Sequence, residues 1–341
     1  NSNVSEFNFS GEESLVLWLD AADPNGDGTV PADGADLTTW KDKSSHGRDA
    51  TGGTAPIFRK TGMNGKPSIE FYGPKYLPVS GGNFQVHEVI FVFNSKTERV
   101  FTVNGHSTNK YAGVMGSDSN GTRPFVFYGN SFHGTPNNWY LNGISQGNNA
   151  NYWTGHSFGS DLREYVLISV ETDNPSASRP YFIGSGQTTN NTDFMGDINI
   201  AELIAFDRVL TDEERREVQS YLSKKWGLEA SVDSDGDGVV DANESYTELS
   251  DGTTIDKFPT NNAAWKDSDD DGYPDQWGNG ATFAEDNTIP LSVQGLLIDK
   301  FPSDNAAYED SDNDGSPDAF LEVDGALATE LVNGVTIDKF P

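Results

Sequence analysis

The sequence predicts a mainly β protein: an antiparallel β-sandwich closed by one C-terminal helix, then an elongated repeat segment with little regular secondary structure. Short β-branched and aromatic runs alternate with Gly-, Asn- and Ser-rich stretches up to Leu228, as in antiparallel sheets. One amphipathic run with capping residues at both ends stands just before Leu228. Acidic motifs then recur along the rest of the chain, which indicates a repeat array. We therefore expect two domains, residues 1–228 and 229–341.

The predicted strands are short apolar runs bounded by turn-forming residues. Several of them alternate apolar and polar residues, which is typical of strands with one solvated face. The turn-formers are fairly regularly spaced, and this favours a sandwich over a parallel sheet with crossover helices. The runs are SLVLWLD, PSIEFYG, EVIFVFN, PFVFYG, EYVLISVET, PYFIGSG and NIAELIAFD.

One helix is predicted, in the run TDEERREVQSYLSKKWG. Thr211 is its N-cap, and Glu214, three residues later, completes a capping box. Gly227 is placed to end the helix in a left-handed conformation. The predicted buried stripe consists of Val218, Tyr221, Leu222 and Trp226.

Charge divides the chain unevenly. Up to Leu228 there are 26 acidic and 18 basic residues, a net charge of −8, whereas 229–341 has 27 acidic and 4 basic residues, a net charge of −23. A segment this acidic repels itself, so it is either disordered or folded around cations. Nucleic acid is an unsuitable partner because no basic surface is available.

Other classes are excluded by what the sequence lacks. There are no cysteines, hence no disulfides or thiolate metal sites. No apolar run reaches the roughly 20 residues of a membrane span. The polar N-terminus has no signal-peptide pattern, so we expect any secretion signal to have been removed.

Three acidic loops have the spacing of calcium-binding loops: loop A (233–244), loop B (267–278) and loop C (310–321). Each has Asp at positions 1, 3, 5 and 9 and Gly at position 6, as in the EF-hand loop. Ca²⁺ takes six to eight hard oxygen ligands, and alternate residues of a tight loop converge on one point. The predicted side-chain ligands are Asp233, Asp235, Asp237, Asp241 and Glu244 in loop A, Asp267, Asp269, Asp271 and Asp275 in loop B, and Asp310, Asp312, Asp314 and Asp318 in loop C; Val239, Tyr273 and Ser316, at position 7, would offer backbone carbonyls.

Loops B and C depart from the EF-hand at position 12, where Gly278 and Leu321 stand, and Pro274 and Pro317 oppose an exiting helix. Both loops therefore need further ligands. The pentapeptide IDKFP, at 255–259, 298–302 and 337–341, and the residue two positions after its Pro could supply them. The candidates are Asp256, Asn261, Asp299 and Asp304.

The pentapeptide is also interpreted as the opening of each repeat unit. An acidic loop begins eight residues after the Pro of the first two copies. We therefore expect the array to continue beyond Pro341. The alternative for the whole segment is a solvated, disordered acidic tail, but three spaced copies of the loop favour several bound calcium ions.

A fourth loop, DPNGDGTVPADG, matches the calcium spacing in part. Asp23, Asn25, Asp27 and Gly28 occupy positions 1, 3, 5 and 6, but position 9 is Pro31. The sequence predicts a calcium site here, and the alternative is an Asx-rich turn after the first strand.

Two resemblances extend these predictions. The segments DSDGDGVVDANES and IDKFP…NAAxxDSDxDGxPD resemble bacterial thrombospondin type 3 repeats, over roughly 233–341. That resemblance implies a chain with little core that winds around a line of calcium ions.

The segments LVLWLDAADPNGDG, WKDKSSHGRDA, NGKPSIEFYG and GDINIAELIAFDRVLTDEERREVQSYLSKKWGL resemble the laminin-G and concanavalin A-like lectin superfamily of large bacterial surface proteins, over about 14–228. This second resemblance implies a jelly-roll sandwich and says little about the ligand.

A ligand site is predicted in 129–160, which combines four aromatic residues with many amides and little charge. Aromatic faces stack on sugar rings while amides bind hydroxyls. The alternative is that these aromatic residues fill the core. They are Trp139, Tyr140, Tyr152 and Trp153.

Catalysis is not expected. Glu171 and Asp173 form the one upstream Glu-x-Asp pair and lead into a Pro-Ser turn, where a lone turn acid is the simpler interpretation. The five histidines show no metal-binding spacing.

The sequence thus predicts an extracellular, non-enzymatic, calcium-dependent binding module for a glycan or peptide on a calcium-stiffened stalk, as part of a bacterial adhesin or surface-attachment protein. The alternative is a structural subunit that self-associates into a fibre or surface layer. A glycosidase is the third and least favoured hypothesis.

Overall fold

The computed structural model describes residues 12–73, 75–82, 84–95, 125–128, 138–147, 165–171, 181–184, 196–241, 255–278, 296–323 and 326–338. The chain divides into two compact units, Asn1–Leu228 and Glu229–Pro341. Within the described ranges, no helix has the length and apolar character needed to cross a membrane.

In its described residues, the first unit is mainly β with one α-helix. A short 3-10 helix, Glu12–Ser14, leads into the first strand. The strands are β1 (Leu15–Asp20), β2 (Thr39–Trp40), β3 (Ala50–Thr51), β4 (Ile57–Met63), β5 (Lys66–Gly73), β6 (Leu77–Pro78), β7 (Glu88–Ser95), β8 (Phe125–Tyr128), β9 (Asn138–Leu141), β10 (Ile144–Ser145), β11 (Val166–Glu171), β12 (Phe182–Gly184) and β13 (Gly196–Phe206); the helix is α1 (Asp212–Trp226).

An antiparallel sheet of eight strands organises this unit. Seven strands follow the order β10-β9-β11-β7-β13-β5-β4, and β1 also pairs with β13. A three-stranded sheet has the order β6-β12-β8, and β2 pairs with β3. This arrangement is consistent with the predicted β-sandwich. All seven apolar runs predicted as strands lie on strands, namely β1, β5, β7, β8, β11, β12 and β13.

The central strands differ from the predicted pattern of one solvated face. Val89, Ile90, Phe91 and Val92 of β7 are all fully buried, although consecutive side chains point to opposite faces. Both faces of this strand are therefore covered, which explains its continuous apolar run. Edge strand β4 was not predicted, because its sequence IFRKTGM is polar and its middle is exposed.

Helix α1 has the predicted caps. The Thr211 hydroxyl accepts from the Glu214 N–H at 3.2 Å, and the Glu214 carboxylate accepts from the Thr211 N–H at 2.8 Å. Gly227 is left-handed, with φ of 70°. Val218, Leu222 and Trp226 are buried, as predicted, and Tyr221 is half-buried.

Buried charges tie α1 to the sheet. Glu202 of β13 is fully buried and accepts from the indole N–H groups of Trp18 at 2.6 Å and Trp226 at 2.7 Å. The Lys225 ammonium lies 2.7 Å from the same carboxylate and 2.7 Å from Asp20. Each buried charge therefore has an opposite partner, which burial requires.

The described part of the second unit contains little regular structure. Its strands have two residues each: β14 (Val240–Asp241) pairs in parallel with β15 (Ile255–Asp256), and β16 (Glu322–Val323) pairs with β17 (Ala326–Leu327). A small apolar cluster forms around Ala306, Ala307 and Leu331.

Candidate metal centres

Each acidic loop brings three aspartates together. One carboxylate oxygen from each of positions 1, 3 and 5 lies within 4.8 Å of the other two, so each triplet could hold a metal ion. These are the carboxylates that the sequence predicted to converge. The triplets are Asp233, Asp235 and Asp237 in loop A, Asp267, Asp269 and Asp271 in loop B, and Asp310, Asp312 and Asp314 in loop C.

The same backbone hydrogen bonds shape all three loops. The glycine at position 6 has a positive φ, of 98°, 92° and 89° in loops A, B and C, a conformation that costs glycine little. Its N–H donates to the position-1 carboxylate at 3.0, 2.9 and 2.9 Å. The position-7 N–H groups, of Val239, Tyr273 and Ser316, donate to the position-5 carboxylates at 2.8, 2.8 and 2.7 Å.

Position 9 makes hydrogen bonds that the sequence did not predict, and its role as a metal ligand stays a prediction. Its carboxylate accepts both the backbone N–H and the hydroxyl of the serine at position 2, an arrangement we name the Ser–Asp clamp. The pairs are Ser234 with Asp241, Ser268 with Asp275, and Ser311 with Asp318. Sequence reasoning missed the serines, although the motif DSD at the start of every loop was the available signal.

Position 12 is used through its backbone in loops B and C. The Gly278 N–H donates to the Ala263 carbonyl at 2.6 Å, and the Leu321 N–H donates to the Ala306 carbonyl at 2.7 Å. An acidic side chain is therefore not needed there to anchor the loop. The predicted ligand Glu244 of loop A lies outside the described residues.

Each pentapeptide packs on the loop that precedes it. The Asp299 N–H donates to the carbonyl of Pro274 in loop B at 2.9 Å, and the Asp338 N–H donates to that of Pro317 in loop C at 2.8 Å. The first copy makes the β14–β15 pair, which aligns Asp256 with Asp241 of loop A. The pentapeptides also contact the loops that follow them: the Lys257 ammonium lies 2.8 Å from Asp270 of loop B, and the Lys257 N–H donates to the Trp265 carbonyl at 2.8 Å. The pentapeptide therefore connects the preceding loop with the following one, and its interpretation as the opening of a unit stays a prediction. Asp338 was not among the predicted ligands, although its pentapeptide was recognised.

The aspartates of the first two pentapeptides are buried acids that lack a full set of partners. Asp256 is 1% exposed and Asp299 is 3% exposed. One oxygen of each accepts a backbone N–H at 2.7 Å, from Phe258 and Phe301 respectively. The other oxygen is buried without a hydrogen-bond partner.

Their surroundings make this burial costly for the charged form. Burial raises the pKa of Asp256 to about 9, and the carboxylates of Asp235 and Asp237 add to the rise. Burial likewise raises the pKa of Asp299 to about 7, with Asp271 and Asp269 adding to it. Several carboxylates thus lie close to one another, and a metal ion bound among them would offset this penalty.

Asn261 and Asp304, the other predicted extra ligands, hold backbone turns. The Asn261 side-chain oxygen accepts the Ala263 N–H at 3.2 Å. The Asp304 carboxylate accepts the N–H groups of Ala306 and Val332. The Asp304 N–H donates to Asp269 of loop B at 2.6 Å, so this residue positions a triplet member through its backbone.

The loop at 23–34 shares two hydrogen bonds with loops A to C. The Gly28 N–H donates to Asp23, and the Thr29 N–H donates to Asp27, both at 2.9 Å. The Asn25 amide, however, donates to the Thr29 hydroxyl, and the Lys43 ammonium lies 3.8 Å from Asp23. A nearby ammonium competes with a metal ion, so this geometry fits the Asx-rich turn better.

The predicted ligand site is described in part. Trp139 is 5% exposed on β9, which removes its faces from stacking on a ligand and fits the core alternative. The Tyr140 hydroxyl accepts from Arg215 of α1 at 3.0 Å. Tyr152 and Trp153 lie outside the described residues.

Glu171, the candidate catalytic acid, is paired. Its carboxylate lies 2.5 Å from the Arg215 guanidinium, which also contacts the fully buried Glu88 at 2.6 Å. This geometry connects helix and sheet. The companion Asp173 lies outside the described residues.

No family model and no curated protein matches the sequence. Among solved structures, a Trypanosoma rangeli sialidase in complex with sialic acid is similar over 65% of this chain and 34% of its own, with a TM-score of 0.31 and 12% sequence identity. The chain thus spans about a third of the length of that structure. A similarity this weak carries no argument.

Proposed function

We propose that this chain is an extracellular, non-catalytic binding module in which residues 229–341 fold around calcium ions. The observation that carries the proposal concerns Asp256 and Asp299. Each has a buried carboxylate, with one oxygen that lacks a hydrogen-bond partner, beside a loop that already holds an aspartate triplet. Left without cations, these groups would be a cluster of buried like charges, which is strongly unfavourable.

Calcium is the ion that fits this ligand chemistry best. The converging groups are all carboxylate oxygens, and the sequence has no cysteine, whereas zinc sites favour sulfur and nitrogen ligands. Ca²⁺ accepts six to eight oxygens in irregular geometry, while Mg²⁺ demands near-ideal octahedra. Three triplet oxygens, one pentapeptide carboxylate, the position-7 carbonyl and water supply that number. Weak sites of this kind suit millimolar extracellular calcium.

For the first unit we propose a concanavalin A-like sandwich that binds a glycan or a peptide. Its support is the antiparallel sheet, accompanied by one helix among the residues that the structure describes, and the amide- and aromatic-rich segment 129–160. Tyr152 and Trp153 remain the candidate contact residues. The pairing of Glu171 with Arg215 favours a binding role over hydrolysis.

The calcium proposal is tested by replacing position 3 of every loop. We expect Asp235→Asn, Asp269→Asn and Asp312→Asn together to abolish calcium binding measured by isothermal titration calorimetry. Asp270→Asn is the matched control: this position-4 residue is exposed with φ of 63°, and loop C already has Asn313 there with φ of 58°. If the triple variant bound calcium like the unchanged protein, the proposed sites would be wrong.

The ligand proposal needs a separate assay. A glycan array probed with and without chelator should give calcium-dependent binding to particular glycans, and Tyr152→Ala with Trp153→Ala should remove it. Calcium-induced filaments without any glycan signal would instead favour the self-associating subunit.

A further inference from the structure

The Ser–Asp clamp joins position 2 of each loop to position 9. In loop B the Ser268 N–H and hydroxyl donate to Asp275 at 2.9 and 2.6 Å, and in loop A the Ser234 groups donate to Asp241 at 2.9 and 2.8 Å. Loop C repeats both bonds, with the backbone bond of Ser311 to Asp318 at 3.1 Å.

A third bond completes the closure. The position-9 N–H donates to the carbonyl of the residue just before position 1, at 2.7 Å in loop A and 2.9 Å in loops B and C. The entry and the exit of each loop are thereby joined side by side. Positions 3 and 5 lie on the stretch between these joined ends, so the clamp fixes the curvature that brings the triplet together.

We infer that the Ser–Asp clamp preorganises each loop for its ion, and that the position-9 aspartate is a positioning residue rather than a metal ligand. The inference rests on the proposed function, because it concerns how those loops bind calcium. Both oxygens of each position-9 carboxylate are engaged by the serine, and in loop B the Lys266 ammonium also lies 2.6 Å from Asp275. The serine thus uses one acceptor site on each oxygen, and in loop B the lysine uses a further one of the about four sites of a carboxylate, which leaves fewer sites for a metal ion.

The physical role follows from repulsion. Three carboxylates held within 4.8 Å repel one another when no cation is bound, and this favours an opened loop. Two charge-assisted hydrogen bonds oppose the opening before the ion arrives, so less ordering remains to be done on binding. A loop without its clamp should therefore bind the same ion with the same ligands, but more weakly.

Loop B suits the test because aromatic residues lie in and beside it. Tyr273 occupies position 7, and Trp265 and Trp277 are close in sequence, so Tb³⁺ bound in place of Ca²⁺ should emit when these rings are excited. We expect Ser268→Ala to weaken Tb³⁺ binding, and Ca²⁺ competition for it, by about tenfold. The number of waters on Tb³⁺, from emission lifetimes in H₂O and D₂O, should stay unchanged. Ser268→Thr should restore the affinity.

Two further variants decide between the roles of position 9. If Asp275 is a positioning residue, Asp275→Ala should weaken Tb³⁺ binding as Ser268→Ala does, again without an added water on the ion. Ser311→Ala, in loop C, should leave the emission from loop B unchanged. A gained water in Asp275→Ala, or unchanged affinity in Ser268→Ala, would overturn the inference. Failure of the proposed function itself looks different, because the unchanged protein would then show no saturable Tb³⁺ or Ca²⁺ binding.

Discussion

The charge of a buried pentapeptide aspartate is expected to destabilise the fold without calcium and to stabilise it when calcium is bound. Asp299 is nearly fully buried and has one oxygen without a hydrogen-bond partner. Burial and the carboxylates of Asp271 and Asp269 raise its pKa, so its ionised form destabilises the ion-free fold. In the proposed calcium-bound state, the same charge would be a ligand. Its substitution should therefore act in opposite directions with and without the ion.

We predict these opposite effects for Asp299→Asn. Asn keeps the oxygen that accepts the Phe301 N–H and places an amide donor where the second carboxylate oxygen faced Asp271. Without calcium, the thermal midpoint of the second unit should rise. With calcium, affinity should fall by about tenfold, or about 1.4 kcal/mol, as measured by titration calorimetry.

Ser303→Ala, at an exposed position in the same segment, serves as the control and should change neither quantity. Unchanged calcium affinity in Asp299→Asn would show that this carboxylate does not reach the ion. A lowered midpoint in chelator would show that the buried charge already has a compensating partner.

How much of the site was predictable depends on the sequence distance between its parts. Positions 1, 3, 5 and 6 lie within six consecutive residues, so their spacing alone indicated a converging triplet. The attachment of Asp256 to loop A and of Asp299 to loop B depends on pairing between segments more than ten residues apart. The pentapeptide lies between two loops in the sequence, and nothing in its letters states that its backbone bonds both to the preceding loop and to the residues before the following one.

At the scale of elements, helix α1 shows how local signals and distant contacts combine. Its caps were predictable because Thr211, Glu214 and Gly227 act on backbone groups a few residues away. The attachment of the helix to the sheet through Arg215 and Glu88 was not predictable, because these residues are 127 positions apart. Strand β4 escaped prediction for a related reason: as an exposed edge of the sheet it needs no apolar run.

The N-terminus of α1 gives a pH prediction. The Arg208 hydrogen bond, together with those from Thr211, lowers the pKa of Glu214 to about 2 from its ordinary value of 4.5. A lowered pKa in the folded state contributes stability above the unfolded value, and this contribution is lost as pH falls from about 4.5 towards 2. Glu214→Gln should therefore lower the free energy of unfolding at pH 7, with a difference from the unchanged protein that shrinks below pH 4.5.

Thr211→Ala is the comparison for this experiment. It removes a neutral cap, so it should cost about 1 kcal/mol in urea unfolding at pH 7 and keep most of that cost at pH 3. If the Glu214→Gln difference stayed constant from pH 7 to pH 3, the carboxylate charge would not be what stabilises this end of the helix.

At the scale of the whole molecule, we expect the two units to rely on different sources of stability. The first unit has an extensive apolar core, including Trp40, Phe58, Phe71, Phe91 and Phe206, all fully buried. The second carries 27 acidic against 4 basic residues and buries several of its aspartates. Hydrophobic burial persists when ions are removed, whereas a fold assembled on carboxylate–metal bonds does not.

Chelation should therefore separate the units by protease resistance. Endoproteinase Lys-C can cut the second unit at Lys257, Lys266, Lys300 and Lys339, and EGTA should accelerate these cuts by at least about tenfold, because cleavage follows the population of opened chain. Sodium chloride at about 1 M shortens the screening length to roughly 3 Å; it should slow cleavage in EGTA only in part, since screening cannot replace coordination. Calcium should restore resistance fully, except in the triple position-3 variant. Cuts after lysines of the first unit provide the internal reference and should respond little to EGTA. Equal resistance of the second unit in EGTA and in calcium would mean that ions do not hold it, and its buried aspartates would then need another source of compensation.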